Sequence, residues 1–143
     1  MKSLLIVEDN AQDEKLMLRA LGKVHLANRI DVVRDGQQAL DYLFAEGEYA
    51  GRKGEEQPAI VLLDIGLPRL SGIEVLAKIR SNPSTRNIPV AMLTSSDEDC
   101  DRIRSYELGA NSFVRKPIDF TQFAETVANM GVYWLVTNEP PKD

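Results

Sequence analysis

Residues 60–68 read Ile60-Val61-Leu62-Leu63-Asp64-Ile65-Gly66-Leu67-Pro68. An unbroken apolar run, closed by turn residues, is the pattern of a strand buried on both faces. A carboxylate is costly to bury, so an Asp at the end of such a strand belongs at its solvent-facing mouth. In an open α/β sheet that mouth is where ligands bind, beyond the carboxyl ends of the strands. Asp64 competes with a plainer role as cap of the next helix. Ser71, with Glu74 three residues on, already supplies that cap.

Two more runs of the same kind flank it. Leu4–Val7 ends in Glu8-Asp9, and Val90–Leu93 ends in Thr94-Ser95-Ser96. Ile30-Asp31-Val32-Val33-Arg34 and Asn111–Arg115 mix polar and apolar residues, as edge strands do. Helical spacing fills the gaps. Asn10 is an N-cap and Asp13 adds negative charge to a first turn, ahead of Leu16, Met17, Ala20, Leu21 and Val24. Asp35 with Gln38 opens a helix carrying Ala39, Leu40, Leu43 and Phe44. Ser71 opens one with Ile73, Leu76 and Ile79 toward the core, stopped by Asn82-Pro83. Ser95 with Glu98 opens one carrying Ile103, Tyr106 and Leu108, with Gly109 as its C′ residue. Asp119 and Gln122 open the last, over 120–136.

This βα alternation predicts a doubly wound, five-stranded parallel sheet with helices on both faces and right-handed crossovers. Central apolar runs and outer mixed strands give the order 2-1-3-4-5, a flavodoxin-like α/β fold. The expected domain is 1–136, with 137–143 as a disordered tail. Residues 45–58 are Gly-rich and polar, a long connection that is either functional or solvated.

Composition narrows the function. The chain has 143 residues, 43% hydrophobic and 27% charged, enough for one globular core. A net charge of −5 offers nucleic acid no electrostatic footing, and no apolar run reaches membrane-spanning length. The lone Cys100 permits no internal disulfide, which fits a reducing cytoplasm. His25 is the only histidine and is expected in the last turn of a helix, leaving little material for a His-based site.

The predicted fold gathers Glu8, Asp9 and Asp64 at one crevice, with Thr94 and Lys116 on the same rim. Clustered carboxylates repel unless a positive charge stands among them, and oxygen donors favour Mg²⁺ or Mn²⁺. A carboxylate can also act as nucleophile and form an aspartyl phosphate. Lys116 suits a phosphoryl oxygen as a point charge, and the Thr94 hydroxyl donates without adding charge. No Gly-rich loop follows the first strand, so dinucleotide and P-loop binding lack support. An Asp-based phosphohydrolase of the haloacid-dehalogenase type carries a second Asp two residues after its nucleophile, where this chain has Gly66.

Taken together, Val7-Glu8-Asp9, Leu63-Asp64-Ile65-Gly66-Leu67-Pro68, Ser71-Gly72, Thr94-Ser95, Gly109-Ala110 and Lys116-Pro117 resemble the response regulator receiver domain of two-component signalling, over residues 4–130. The resemblance implies that Asp64 accepts a phosphoryl group from a phosphohistidine on a sensor histidine kinase. It implies a Mg²⁺ site of Glu8, Asp9, Asp64 and the Gly66 backbone carbonyl. Thr94 is then the switch hydroxyl, Phe113 the switch aromatic and Lys116 the phosphate-binding lysine, with a cis Lys116-Pro117 bond. Residues 45–58 and Tyr133-Trp134-Leu135 further resemble small single-domain regulators that partner phytochrome-type histidine kinases. Gly66 and Ser96 are small where the family tunes loss of the phosphoryl group, and Phe113 replaces the commoner Tyr.

The reading is a phospho-accepting switch without an effector module, and not an enzyme beyond assisting its own phosphoryl transfer and loss. A receiver acting only as a binding module is the alternative, and a phosphohydrolase a weaker one. The last helix makes a further expectation. Phe123, Val127, Met130 and Trp134 form one apolar stripe, but Val132, Tyr133, Trp134, Leu135 and Val136 are apolar all round. Such an end either folds back on its own domain or pairs with a second copy. The subfamily resemblance favours a homodimer through this helix.

Overall fold

The structure, a computed structural model, describes residues 3–23, 29–94, 99–116 and 120–141, with the backbone alone at 23, 99, 100 and 120. In chain order the elements are β1 (Ser3–Val7), α1 (Ala11–Lys23), β2 (Arg29–Val33), α2 (Gly36–Phe44), β3 (Ile60–Asp64), α3 (Gly72–Ser81), β4 (Val90–Thr94), α4 (Asp99–Glu107), β5 (Ser112–Arg115) and α5 (Phe120–Val132). A 3₁₀ turn, Gly47–Arg52, follows α2, and a π turn, Tyr133–Thr137, continues α5. Every strand pairing is parallel and the order is β2-β1-β3-β4-β5, as the apolar pattern predicts.

The unbroken apolar runs are explained by two cores, one on each face of the sheet. Alternate residues feed them, because successive strand side chains point to opposite faces. Leu5, Val7, Val61, Leu63, Val90 and Met92 meet α2 and α3 through residues such as Leu40, Val75 and Ile79. Leu4, Ile6, Ile60, Leu62, Ala91 and Leu93 meet α1 and α5 through Met17, Leu21, Phe123 and Val127. Each fully buried aliphatic side chain contributes about 1.5–3 kcal/mol.

The caps form as the spacing predicts. Asn10 Oδ1 accepts the backbone N–H groups of Gln12 and Asp13 at 3.0 Å. Asp35 Oδ1 accepts from Gln38 N at 2.8 Å, and Ser71 Oγ accepts from Glu74 N at 3.2 Å. Ser71 therefore caps α3, and Asp64 is left for other work. The Ser95–Glu98 cap, His25, Asp119, the Lys116-Pro117 bond and the side chain of Cys100 lie outside the described residues.

Residues 45–58 are pinned at Arg52. Its guanidinium lies 3.6 Å from the Tyr42 ring centroid and donates to the carbonyls of Tyr42 and Glu56. Tyr42 in turn donates to Asp31 Oδ2 at 2.5 Å, so the loop is tied to β2.

Two helices differ from the expected pattern. On α4, Ile103 and Tyr106 face outward, 57% and 52% exposed, so the apolar positions of that helix are a surface and not a core stripe. At the end of α5 the π turn rotates the stripe, and Leu135 rather than Trp134 becomes the buried residue. Asn138 N–H closes that turn on Tyr133 O, and Pro140 and Pro141 line a groove of about 490 Å³ with Trp134, Pro83 and Pro89. This groove lies at the end of the sheet opposite Asp64.

Candidate functional site

The carboxyl ends of β1, β3 and β4 and the residue after β5 bring Glu8, Asp9, Asp64, Thr94 and Lys116 to one rim. Parity decides which way each points. Asp64 follows Leu62 on the α1 and α5 face, while Thr94 follows Met92 on the α2 and α3 face. Lys116 hydrogen-bonds its backbone N–H to Thr94 O at 2.7 Å, which fixes the lysine beside Asp64.

The Lys116 ammonium is the centre of the site. Nζ donates to Glu8 Oε1 at 2.5 Å, to Asp13 Oδ2 at 2.8 Å and to Asp64 Oδ2 at 3.2 Å. Burial pulls its pKa down, but hydrogen bonds to Asp13 and Glu8 and the charge of Asp64 more than reverse this, so it stays protonated. The second oxygens of Glu8 and Asp64 are also engaged. Glu8 Oε2 accepts from Asn10 N at 3.2 Å, and Asp64 Oδ1 accepts from Gly66 N at 3.1 Å.

Glu8 is the strained member. Its side chain is 1% exposed, and its pKa is pushed up to about 7 by burial first, then by Asp64, against the opposing pull of Lys116. One lysine does not compensate the cluster. Single oxygens of Glu8, Asp9 and Asp64 lie within 4.8 Å of one another. Bonds of about 2.1 Å to an octahedral Mg²⁺ separate opposite ligands by about 4.2 Å. An all-oxygen set of this spread, short of positive charge, fits a hard divalent cation.

Two glycines shape the approach. A Cβ on Gly72 would lie 2.3 Å from the Asp64 carbonyl oxygen, so α3 starts hard against the β3 end. A Cβ on Gly66 would lie 4.0 Å from Asp64 Oδ1, in no more than ordinary contact, so position 66 borders the carboxylate. Thr94 is buried, 4% exposed, at the end of β4. Phe113 is half-buried in register with Met92 and packs against the α2 and α3 core, on the same face as Thr94.

The structure thus brings Glu8, Asp9, Asp64 and Lys116 together, with Thr94 on the same rim and Phe113 two positions along the neighbouring strand. Asp13 joins them. Sequence reasoning gave Asp13 only a helix-terminus role, because its partner lies 103 residues away and no local spacing signals the pair.

Residues 4–128 match the model of the response regulator receiver domain, and the chain belongs to that family. Two curated relatives span nearly its whole length. The probable methanogenesis regulatory protein FilR2 of Methanothrix harundinacea is 40% identical over 96% of this chain and 86% of its own. The response regulator Rcp1 of Synechocystis is 35% identical over 95% and 90%, and a Mn²⁺-bound structure of Rcp1 superposes with a TM-score of 0.91 at 34% identity, covering 99% and 100%. The phosphorylated cyanobacterial phytochrome response regulator RcpA superposes with a TM-score of 0.90 at 37% identity over 99% of both chains. The bacteriophytochrome response regulator RtBRR is 50% identical over 99% of this chain and 84% of its own, with a TM-score of 0.78.

The raised pKa of Glu8 has a measurable sign. With its pKa pushed up to about 7, Glu8 holds a proton over more of the acid range than an ordinary carboxyl, and a divalent cation bound at Glu8 would have to displace it. Calorimetric titration with Mg²⁺ or Mn²⁺ is expected to show affinity rising from pH 5 to about 7 and levelling above it, by up to about tenfold per unit where one proton is released. Without cation, the Glu8 contribution to stability is present at low pH and is lost as pH rises from its ordinary 4.5 through about 7. Glu8→Gln is expected to flatten both profiles.

Proposed function

We propose that this receiver accepts a phosphoryl group on Asp64 from a phosphohistidine of a sensor histidine kinase of phytochrome type, and that the modified protein signals by altered protein contacts. The observation that carries the reading is the Lys116 ammonium held between Glu8 and Asp64 at the carboxyl end of the sheet. The likeness to RcpA and RtBRR supports the kinase class. A cytoplasmic location belongs to the same proposal, and the lone Cys100 fits it.

An Asp64 carboxylate oxygen attacks phosphorus in line with the scissile P–N bond. The new O–P bond forms as the P–N bond breaks, the imidazole nitrogen keeps the electron pair, and the product is an acyl phosphate. Glu8, Asp9, Asp64 and the Gly66 carbonyl would hold Mg²⁺, which neutralises charge on the transferring phosphoryl oxygens. Lys116 pairs with one phosphoryl oxygen as a fixed positive charge. The Thr94 hydroxyl turns toward another and vacates space on its own face. Phe113 moves inward to fill that space, which makes the event a population shift between two packings. Water reaching the carboxylate past Gly66 sets the rate of loss.

The exposed apolar turn after α5 supports self-association. Tyr133 and Val136 are 49% and 62% exposed beside Val132, a patch suited to burial against a second copy about a two-fold axis.

Incubation with a divalent cation and acetyl phosphate, followed by intact mass, is expected to add one phosphoryl mass to the wild type and none to Asp64→Asn. A wild type that gains nothing would overturn the acceptor reading and favour a pure binding module.

Thr94→Ala is expected to keep the mass gain but lose the phosphorylation-dependent change in Phe113 ring signals by NMR. An unaltered response in that variant would remove the proposed switch.

Light scattering at tens of micromolar is expected to give a dimer that Tyr133→Glu with Val136→Glu converts to a folded monomer. Truncation before 132 is a poorer test, because it also removes the buried Leu135. A wild-type monomer, phosphorylated or not, would sink the dimer.

A further inference from the structure

Asp13 is the carboxylate at this rim that the proposed cation site does not use. It stands in the first turn of α1, its backbone N–H held by Asn10 Oδ1 at 3.0 Å. Its Oδ2 takes one hydrogen of the Lys116 ammonium at 2.8 Å, while Glu8 and Asp64 take the others at 2.5 and 3.2 Å. An ammonium has three donors, so all are committed before any phosphoryl group arrives. The longest contact is the one to the acceptor, Asp64.

We propose that Asp13 is a positioning residue that holds Lys116 toward α1 and so limits how readily the site takes, and how long it keeps, a phosphoryl group. The inference rests on Asp64 being the acceptor. Its basis is competition for one ammonium. A phosphoryl oxygen gains the full use of Lys116 only as a carboxylate partner yields. Glu8 is fixed at the end of β1 and also holds Asn10 N–H, whereas Asp13 meets only the lysine through its side chain among the bonds described. Charge acts in the same direction, since Asp13 adds a negative charge beside a site that must admit an anionic donor. The pair is shielded, with side-chain exposures of 11% for Lys116 and 19% for Asp13, so the interaction is stronger than that of an open surface pair.

The neighbouring acid provides a control. Glu14 lies on the same turn but pairs with Arg34 at 3.0 Å and not with Lys116. Glu14→Gln therefore removes the same helix-terminus charge and leaves the lysine alone.

The experiment compares wild type, Asp13→Asn, Asp13→Ala, Asp13→Glu and Glu14→Gln with acetyl phosphate and Mg²⁺. The readouts are the half-saturating donor concentration, the half-life of the phosphoprotein, and the acetylation rate of Lys116 by acetic anhydride without any phosphate. Asp13→Asn and Asp13→Ala are expected to half-saturate at severalfold lower donor concentration, keep the phosphoryl group severalfold longer and acetylate faster at Lys116. Asp13→Glu and Glu14→Gln are expected to follow wild type. A purely structural role for Asp13 would not lower the half-saturating concentration or be rescued by Glu. Wild type that phosphorylates while Asp13→Asn behaves identically overturns this inference alone, as does Glu14→Gln matching Asp13→Asn. Wild type that takes no phosphoryl group overturns the acceptor reading, and the inference falls with it.

Discussion

The rim of this molecule depends on one largely shielded ammonium. Lys116, drawn from the residue after β5, satisfies carboxylates from β1, α1 and β3 at once. Losing the ammonium would leave several shielded carboxylates without compensation, which is strongly destabilising. That constraint binds the carboxyl ends of otherwise separate strands into one surface. It also leaves the cluster net negative, and burial first, then the neighbouring Asp64, drives Glu8 toward its neutral form. A hard cation and an anionic phosphoryl group are complementary guests for such a place, the first meeting the excess of carboxylates and the second the lysine.

The two faces of the sheet divide the work. Asp64 and Lys116 lie toward α1 and α5, where the ions gather. Thr94 and Phe113 lie toward the α2 and α3 face, where the packing is apolar. The backbone bond from Lys116 N–H to Thr94 O joins the two sides across β4 and β5. In the proposed switch, a charge added at Asp64 would bias packing on the opposite face without any large displacement, because close-packed cores respond by changing arrangement rather than by continuous deformation. Ile103 and Tyr106 on α4 leave exposed apolar area on the surface.

The rest of the chain supports this rim from a distance. Arg80 on α3 donates to the carbonyls of Gly109, Arg86 and Ile88 and to Asn111 Oδ1, closing the loops at the far end of the sheet. Arg52 plays the corresponding part for residues 45–58, turning a polar, Gly-rich connection into a fixed edge beside β2. Gly72 lets α3 begin directly on the β3 end, so the loop carrying Gly66 has little room to wander.

The fold and the place of Asp64 in it were legible from residues alone because both are written in short-range pattern. Unbroken apolar runs closed by turn residues are the pattern of strands covered on both faces, and Asp64 at the end of one emerges at the sheet mouth. Capping boxes at Asp35 and Ser71 are likewise local, and both formed. What the chain order could not express was decided by packing between distant segments. Asp13 became a partner of Lys116, 103 residues away, because α1 starts beside the β5 end. Ile103 and Tyr106 turned outward because helical spacing marks a stripe but not what covers it. Leu135 became the fully buried residue, with Trp134 packed only at the core's margin, because a π turn, invisible in composition, rotated the helix end. Local sequence determined which elements exist and where their ends lie. Only the tertiary structure decided which of those ends share a charge.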